Sequence, residues 1–275
     1  MEYNEKINLQ YGDGSIKERI NKALSAANRK FSSITLKELS YMDELHMGGG
    51  EATIKLANAA KLFSGARLLD AGSGLGGPAR ILAAKFNCIV TGIDLTEEFC
   101  NTAAMLTKLA EIDSNKVSFI CGDACNAPFK NESFDIVWSQ HSSMNIEDKI
   151  KLYSEYKRVL KKGGLLIIHD AVSEPNKSLY YPTPWANEPS ISFLITEEKL
   201  ISILTGSGFE KIYLSDISEE TINWYKKLKQ ERKSGNIPIL GPHIVFGSAI
   251  SVMASNMRKN LIEKRVKVVE TIWRK

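Results

Sequence analysis

The chain has 275 residues, 43% hydrophobic and 25% charged, with a formal net charge of +4. That balance suits one large globular domain, or one domain with additions, built on a real apolar core. Its longest apolar runs fall far short of the ~20 residues of a membrane span. The polar opening MEYNEKINLQ lacks a signal-peptide apolar region, so a cytoplasmic location is expected.

Four cysteines, Cys88, Cys100, Cys121 and Cys125, show no C-x-x-C spacing and are expected to be reduced thiols. No His or second Cys pair accompanies Cys121 and Cys125, so no metal site is expected. The charge is uneven. From Ile217 to Lys275 there are twelve Lys/Arg against five Asp/Glu, a net of +7 that leaves about −3 for the rest. Acidic residues interleave with the basic ones, so this segment reads as a solvated helix face, not a nucleic-acid surface.

In chain order, Tyr11-Gly12-Asp13-Gly14 is turn-rich, and SIKERINKALSAA reads as a helix. Ser15 and Glu18 have capping-box spacing, and Ile16, Ile20, Ala23, Leu24 and Ala27 share one face. LKELSYMDELHMGGG ends in Gly48-Gly49-Gly50, which should break the structure. A helix EATIKLANAAKLF then leads to the first strand. Residues 1–63 are therefore expected to form a helical cap, and residues 64–275 the main domain.

That domain opens with RLLDAGSGLGGPARILA, residues 67–83. An apolar strand, a glycine loop and a helix with Pro78 at its start form the beginning of a nucleotide-binding βαβ unit. The glycines allow tight turning and close approach to the main chain. The helix N-terminus is expected to offer free N–H groups to a ligand. Gly72, Gly74 and Gly77 satisfy the dinucleotide pattern G-x-G-x-x-G. Asp70, Gly72, Gly74 and Gly76 satisfy D-x-G-x-G-x-G, the pattern associated with S-adenosylmethionine (SAM) methyltransferases. The loop alone leaves both open.

A second strand, CIVTGID, ends at Asp94, placed to accept both ribose hydroxyls of either ligand. A helix from Thr96 to about Glu111 follows, with Glu97 and Glu98 in its first turn. VSFICGDA is a third strand ending near Asp123, where an acid could accept an adenine amino group, a point in favour of SAM. FDIVWSQ is the fourth strand. A helix over about residues 146–160 is expected to stop at Lys161-Lys162-Gly163-Gly164. LLIIHDAV is the fifth strand. Residues 173–191, with four prolines and three large aromatics, form a candidate substrate loop. TEEKLISILTGSG is a short helix and FEKIYLSD a sixth strand. SEETINWYKKLKQERK is a helix, SGNIPILGPHIVFG a loop, and residues 248–263 a last helix, making 217–263 a helical lid inserted between the last two strands. RVKVVETIWRK is the final strand. The expected fold is α/β: a doubly wound, mostly parallel, seven-stranded sheet.

Together LLDAGSGLGGPARILA, TGIDLTEEF, FICGDACNAPFKNESFDIVWSQ and EYKRVLKKGGLLIIHD resemble class I SAM-dependent methyltransferases of the small-molecule type. They resemble the corresponding segments of ubiquinone/menaquinone, tocopherol and sarcosine/dimethylglycine methyltransferases. The resemblance covers residues 67–170 and implies a Rossmann-like methyltransferase fold with the last strand antiparallel beside the fifth. It implies a reaction on N, O or C of a small molecule, with S-adenosylhomocysteine (SAH) as product, by a monomer or homodimer. An NAD-dependent oxidoreductase and a non-catalytic methyltransferase-fold binding protein are the alternatives.

By the same resemblance the cofactor grip is Gly72, Ser73 and Gly74 at the methionine end, with Asp70 behind them. Asp94 and Leu95 serve the ribose, Asp123 and Ala124 the adenine, and Ser139 and Tyr11 complete it. SQHSS after the fourth strand lacks the Asn-Pro-Pro-aromatic motif that holds planar amino groups, which argues against nucleic-acid and glutamine acceptors. His141 and His46 are candidate catalytic residues. Of His169 and Asp170, strand alternation lets only one face the cleft, and Asp170 is expected to be that one. Gln140, Tyr180, Tyr181 and Trp185 are candidate substrate contacts, the aromatics through apolar or cation–π contact.

Overall fold

A computed structural model of the chain describes residues 15–30, 34–235 and 237–275. Its strands are β1 (Arg67–Ala71), β2 (Ile89–Asp94), β3 (Val117–Cys121), β4 (Phe134–Gln140), β5 (Leu160–Ser173), β6 (Glu210–Asp216) and β7 (Val266–Arg274). They make one sheet in the order β3-β2-β1-β4-β5-β7-β6. β1 to β5 pair in parallel, and β7 runs antiparallel between β5 and β6. Helices α1 (Ile16–Ala26), α2 (Leu36–Asp43) and α3 (Gly49–Ala59) precede β1. α4 (Gly77–Phe86), α5 (Glu97–Leu109), α6 (Lys149–Val159) and α7 (Glu197–Gly206) follow β1, β2, β4 and β5. α8 (Ser218–Lys233), the short α9 (His243–Phe246) and α10 (Ile250–Ile262) lie between β6 and β7.

The central strands are apolar on both sides, as a helix-covered parallel sheet requires. Leu69, Val137, Ile168 and Trp273 pack with Tyr153 and Tyr156 of α6 and Leu200 and Leu204 of α7. Leu68, Ile136, Trp138, Ile167 and Ile272 pack with Leu56 and Ala57 of α3 and Ala79 and Leu82 of α4. Each large side chain buried this way contributes about 1.5–3 kcal/mol. The two-residue period continues along β5. Ile167 faces α3 and α4, so His169 does too. Ile168 faces α6 and α7, so Asp170 does too.

The N-terminal helices rest on the cleft side of the domain. Ile16, Ile20 and Leu24 of α1 pack with Phe99 and Leu106 of α5 and with Leu240, Ile244 and Val245. At the end of α2, Asp43 pairs with Arg80 of α4, and both side chains are almost wholly buried. Arg80 also donates to the carbonyls of Leu75 and Ala103 and to Thr107 Oγ1. Burial lifts the Asp43 carboxyl to about 6 against the pull of Arg80.

Three local expectations are corrected. Ser15 does not cap α1. Its hydroxyl accepts from Arg19, while the amide of Ile16 donates to Glu98 of α5. A tertiary acceptor thus displaces the local one, and the capping box forms at Thr35 and Glu38 of α2. Lys161-Lys162-Gly163-Gly164 is not a helix stop. β5 begins at Leu160, and these residues bulge between the register pairs Phe134↔Leu160 and Ile136↔Leu165. Lys161 is drawn there by Asp135, at 2.7 Å. The expected loop 234–247 contains α9.

Candidate active site

The glycine loop after β1 is held from below. Gly72 has φ +79°, and a Cβ there would stand 2.2 Å from the Cβ of Ser142. No side chain other than hydrogen fits. Gly74 also has a positive φ, but nothing lies within 4 Å of its Cβ position, so its open side faces the cavity. The amides of the loop itself are engaged. Gly72 and Ser73 donate to the carbonyl of Ile93 at 2.8 and 3.1 Å. Gly74 donates to Asp94 Oδ2 at 2.8 Å. The loop is tied to the end of β2, and what it presents to a ligand is glycine Cα surface and carbonyls.

Asp94 ends β2 half-buried. Its Oδ1 accepts the amide of Thr96 at 2.9 Å while Oδ2 holds Gly74. Each oxygen keeps acceptor capacity for a further donor. Burial pushes this carboxyl up, opposed by those amide bonds. Asp123 follows β3, accepts the amide of Cys125 at 2.7 Å and remains exposed.

These groups border one cavity of about 1560 Å³. Its wall includes Gly72, Ser73, Gly74, Asp94, Leu95, Asp123 and Ala124 on the β1–β3 side. On the β4 side it includes Gln140, His141 and Ser142. His46 and Glu44 come from the turn after α2, Trp185 from the Pro-rich loop, and Trp224, Tyr225 and Phe246 from the α8–α9 segment.

Three of the chain's four histidines cluster here, His46 and His141 at the wall and His169 buried behind it. The His46 and His141 rings are stacked with centroids 6.3 Å apart, and His169 lies edge-on to His141 at 4.7 Å. Gln140 organises them. Its Nε2 bonds His46 Nδ1 at 3.0 Å and His169 Nδ1 at 3.1 Å. Its Oε1 accepts from Trp138 Nε1 at 2.9 Å, with Thr53 Oγ1 3.2 Å away. Because the amide nitrogen only donates, both Nδ1 atoms are acceptors, and each neutral ring carries its proton on Nε2. His46 Nε2 then donates to Glu44 Oε2. Burial pushes His141 and His169 well below the ordinary histidine range, so both are neutral near pH 7. His141 has φ +50°, a left-handed backbone held by its amide bond to the His169 carbonyl at 2.8 Å.

Several expected positions lie elsewhere. Asp170 points away from this cavity, on the α6 side, where it accepts from Ser143 Oγ near Lys149 and Tyr153. Burial raises its pKa and lowers that of Lys149. His169, on the opposite face of β5, is packed behind the wall against Gln140 and His141 and does not itself border the cavity. Ser139 is buried behind the wall against Ser142 Oγ, 3.0 Å away. Ser142 takes its place, donating to the Ala71 carbonyl at 2.8 Å. Tyr180 lies under Arg265 and Lys259, whose charges sit 4.2 and 3.7 Å from its ring, and Tyr181 packs into the core beneath the loop. Neither tyrosine borders the cavity. Asp70 is buried under the loop, and its Oδ2 has no partner among the described residues. Tyr11 lies outside the described residues. Glu44, Thr53 and Ser142 carry no motif. The one available signal was the acid two residues before His46 in DELHMGGG.

Among the described residues no group of His, Cys, Asp and Glu has the arrangement of a metal site, and no helix is long and apolar enough to cross a membrane.

A family profile described as a methyltransferase domain matches residues 69–168. The chain is 30% identical to 24-methylenesterol C-methyltransferase 2 of Oryza sativa subsp. japonica, over 65% of this chain and 51% of that protein. It is 28% identical to phosphoethanolamine N-methyltransferase of Plasmodium falciparum (isolate 3D7), over 68% of each. Against the rice relative the match spans about half of that protein's length. Among solved structures it superposes on the 4+2-cyclase SpnF with a TM-score of 0.66 and 25% identity, covering 82% of this chain and 80% of that one. The tied glycine loop, the acids ending β2 and following β3, and the antiparallel β7 agree with these matches: the chain carries a methyltransferase domain of the class I SAM-dependent type.

Proposed function

We propose that the protein transfers the methyl group of SAM to N, O or C of a small-molecule acceptor. The observation that carries this reading is the single cavity, which takes in the glycine loop, Asp94 and Asp123 on one side and His46, Gln140 and His141 on the other. The residues fit the cofactor. Gly74 leaves open space, Asp94 keeps acceptor capacity for ribose hydroxyls, and Asp70 Oδ2 and Ser73 Oγ are buried acceptors without partners among the described residues. The fit to a dinucleotide is less good, because the amides of Gly72, Ser73 and Gly74 are taken by Ile93 and Asp94 and are not available to a pyrophosphate. An NAD-dependent reaction is therefore not favoured.

When bound, SAM supplies an already activated methyl group on a sulfonium, so the protein's share is orientation and proximity. Gly72, Ser73, Gly74 and Asp70 would hold the methionine end, Asp94 and Leu95 the ribose, and Asp123 and Ala124 the adenine. Trp185 and Gln140 would contact the acceptor. His141, neutral and at the wall, would take a proton from an acceptor N–H or O–H, and His46 would assist. We place the protein in the cytoplasm as a monomer or homodimer without a nucleic-acid partner.

The test is turnover with methyl-deuterated SAM over a panel of amines, phenols and other alcohols, read by mass spectrometry. SAH formed in step with a labelled product supports the reading. The likeness to SpnF supplies a second reading, a ring closure without methyl transfer. A product of unchanged mass and no SAH would favour it.

A further inference from the structure

The turn after α2 gives the cavity a carboxylate that no motif marks. Glu44 is 5% exposed and borders the cavity. Its Oε2 is engaged, accepting from Thr53 Oγ1 at 3.0 Å and from His46 Nε2. Its Oε1 is buried with no hydrogen-bond partner among the described residues. That oxygen lies at the start of α4, 2.7 Å from where a Cβ on Gly77 would stand. Two more buried acceptors of the same loop lack partners, Asp70 Oδ2 and Ser73 Oγ. Asp70 and Glu44 are near enough that the Glu44 charge, after burial, pushes the Asp70 carboxyl up, to about 8.

Each unsatisfied buried acceptor costs about 1–3 kcal/mol. Three around one loop therefore call for a donor. The buried cation nearby, Arg80, gives both terminal nitrogens to Asp43, Leu75, Ala103 and Thr107, and only its Nε is without a partner among the described residues. A primary ammonium has three donors and no acceptor, which matches the set in number and charge. We infer that Glu44, with Asp70 and Ser73, binds the α-ammonium of the cofactor's aminoacyl end. This rests on the SAM reading above. It gives the N-terminal segment an ionic grip on the cofactor. Through Oε2 the same carboxylate orients His46, so one residue joins the cofactor's ammonium to the histidine cluster.

The rival account is that Glu44 only orients His46. Calorimetric titration of the full chain with SAH, with SAH lacking its amino group, and with 5′-methylthioadenosine separates the two. The wild-type chain is expected to bind SAH at least ~10-fold more tightly than the desamino analogue, about 1.4 kcal/mol. Glu44→Gln should weaken SAH by about 10-fold or more and leave the desamino analogue and methylthioadenosine within about twofold. Thr53→Val, which disturbs Oε2 but not Oε1, should leave SAH binding unchanged. Equal wild-type affinity for SAH and its desamino analogue would overturn the inference without any variant. So would unchanged SAH binding in Glu44→Gln. A wild-type chain that binds neither SAH nor methylthioadenosine would overturn the SAM reading as well.

Discussion

Along the β1–β3 edge the cavity wall is main chain and two carboxylates, each fixed by neighbouring amides: Gly74 and Thr96 on Asp94, Cys125 on Asp123. Along the β4–β5 edge the wall is side chains that hold one another: Gln140 between His46 and His169, and His46 on Glu44. The first edge depends on chain geometry and tolerates no added atom at Gly72. The second depends on protonation and tautomer. On the reading proposed above, the first edge would grip the cofactor and the second handle the acceptor, and substitutions should separate the two.

The largest expected effect is on turnover from the second edge. His141→Ala should lower kcat by about 10²–10⁴-fold for an acceptor that must lose a proton, with SAH affinity within about threefold. An equal loss in both would place His141 in the cofactor grip and erase the distinction. Next, Asp94→Ala should weaken SAH by about 10²-fold with the fold intact by circular dichroism, since two hydroxyl acceptors and the anchor of Gly74 go together. Unchanged affinity would remove the ribose assignment.

These two edges were unequally legible in the sequence. The spacing from Asp70 through Gly76, and the acids ending β2 and following β3, are local features. A strand, turn and helix place them without reference to the rest of the chain. The strand order, with β7 entering beside β5, also followed from the family pattern. The histidine cluster was not local. His46, Gln140 and His169 stand 94 and 29 residues apart and meet only because α3 packs over β4 and β5. Asp170 shows the limit most plainly. Alternation sends two neighbours to opposite faces of the sheet, and only the packing of Ile167 and Ile168 onto opposite helix layers says that Asp170 is the one on the α6 side, while His169 packs behind the wall. Tyr180 and Tyr181 do not border the cavity, because nearby Arg265, Lys259 and a core cluster claim their rings.

A smaller effect concerns pH. The folded chain holds the Asp70 proton up to about 8, whereas an unfolded carboxylate loses it near 4. The resulting stability is complete below about pH 4 and is lost as pH rises through about 8. Asp70→Asn should therefore flatten the fall in stability between those limits, by up to ~1.4 kcal/mol per pH unit. Asp43 and Asp170 shift in the same direction but are present in both proteins, so the difference in denaturant midpoints isolates Asp70. Identical pH profiles would contradict its buried, protonated state. The smallest effect is expected at Asp170→Asn, which should leave kcat and SAH affinity within about threefold while shifting stability by about 1–3 kcal/mol. A loss of turnover comparable to that of His141→Ala would return Asp170 to the cleft.

Calorimetric titration of the full chain with SAH and, separately, with NAD⁺ tests the central claim most directly. We predict saturable SAH binding at one site per chain, weakened by Asp94→Ala, and no heat with NAD⁺. Binding of NAD⁺ with exclusion of SAH would contradict it.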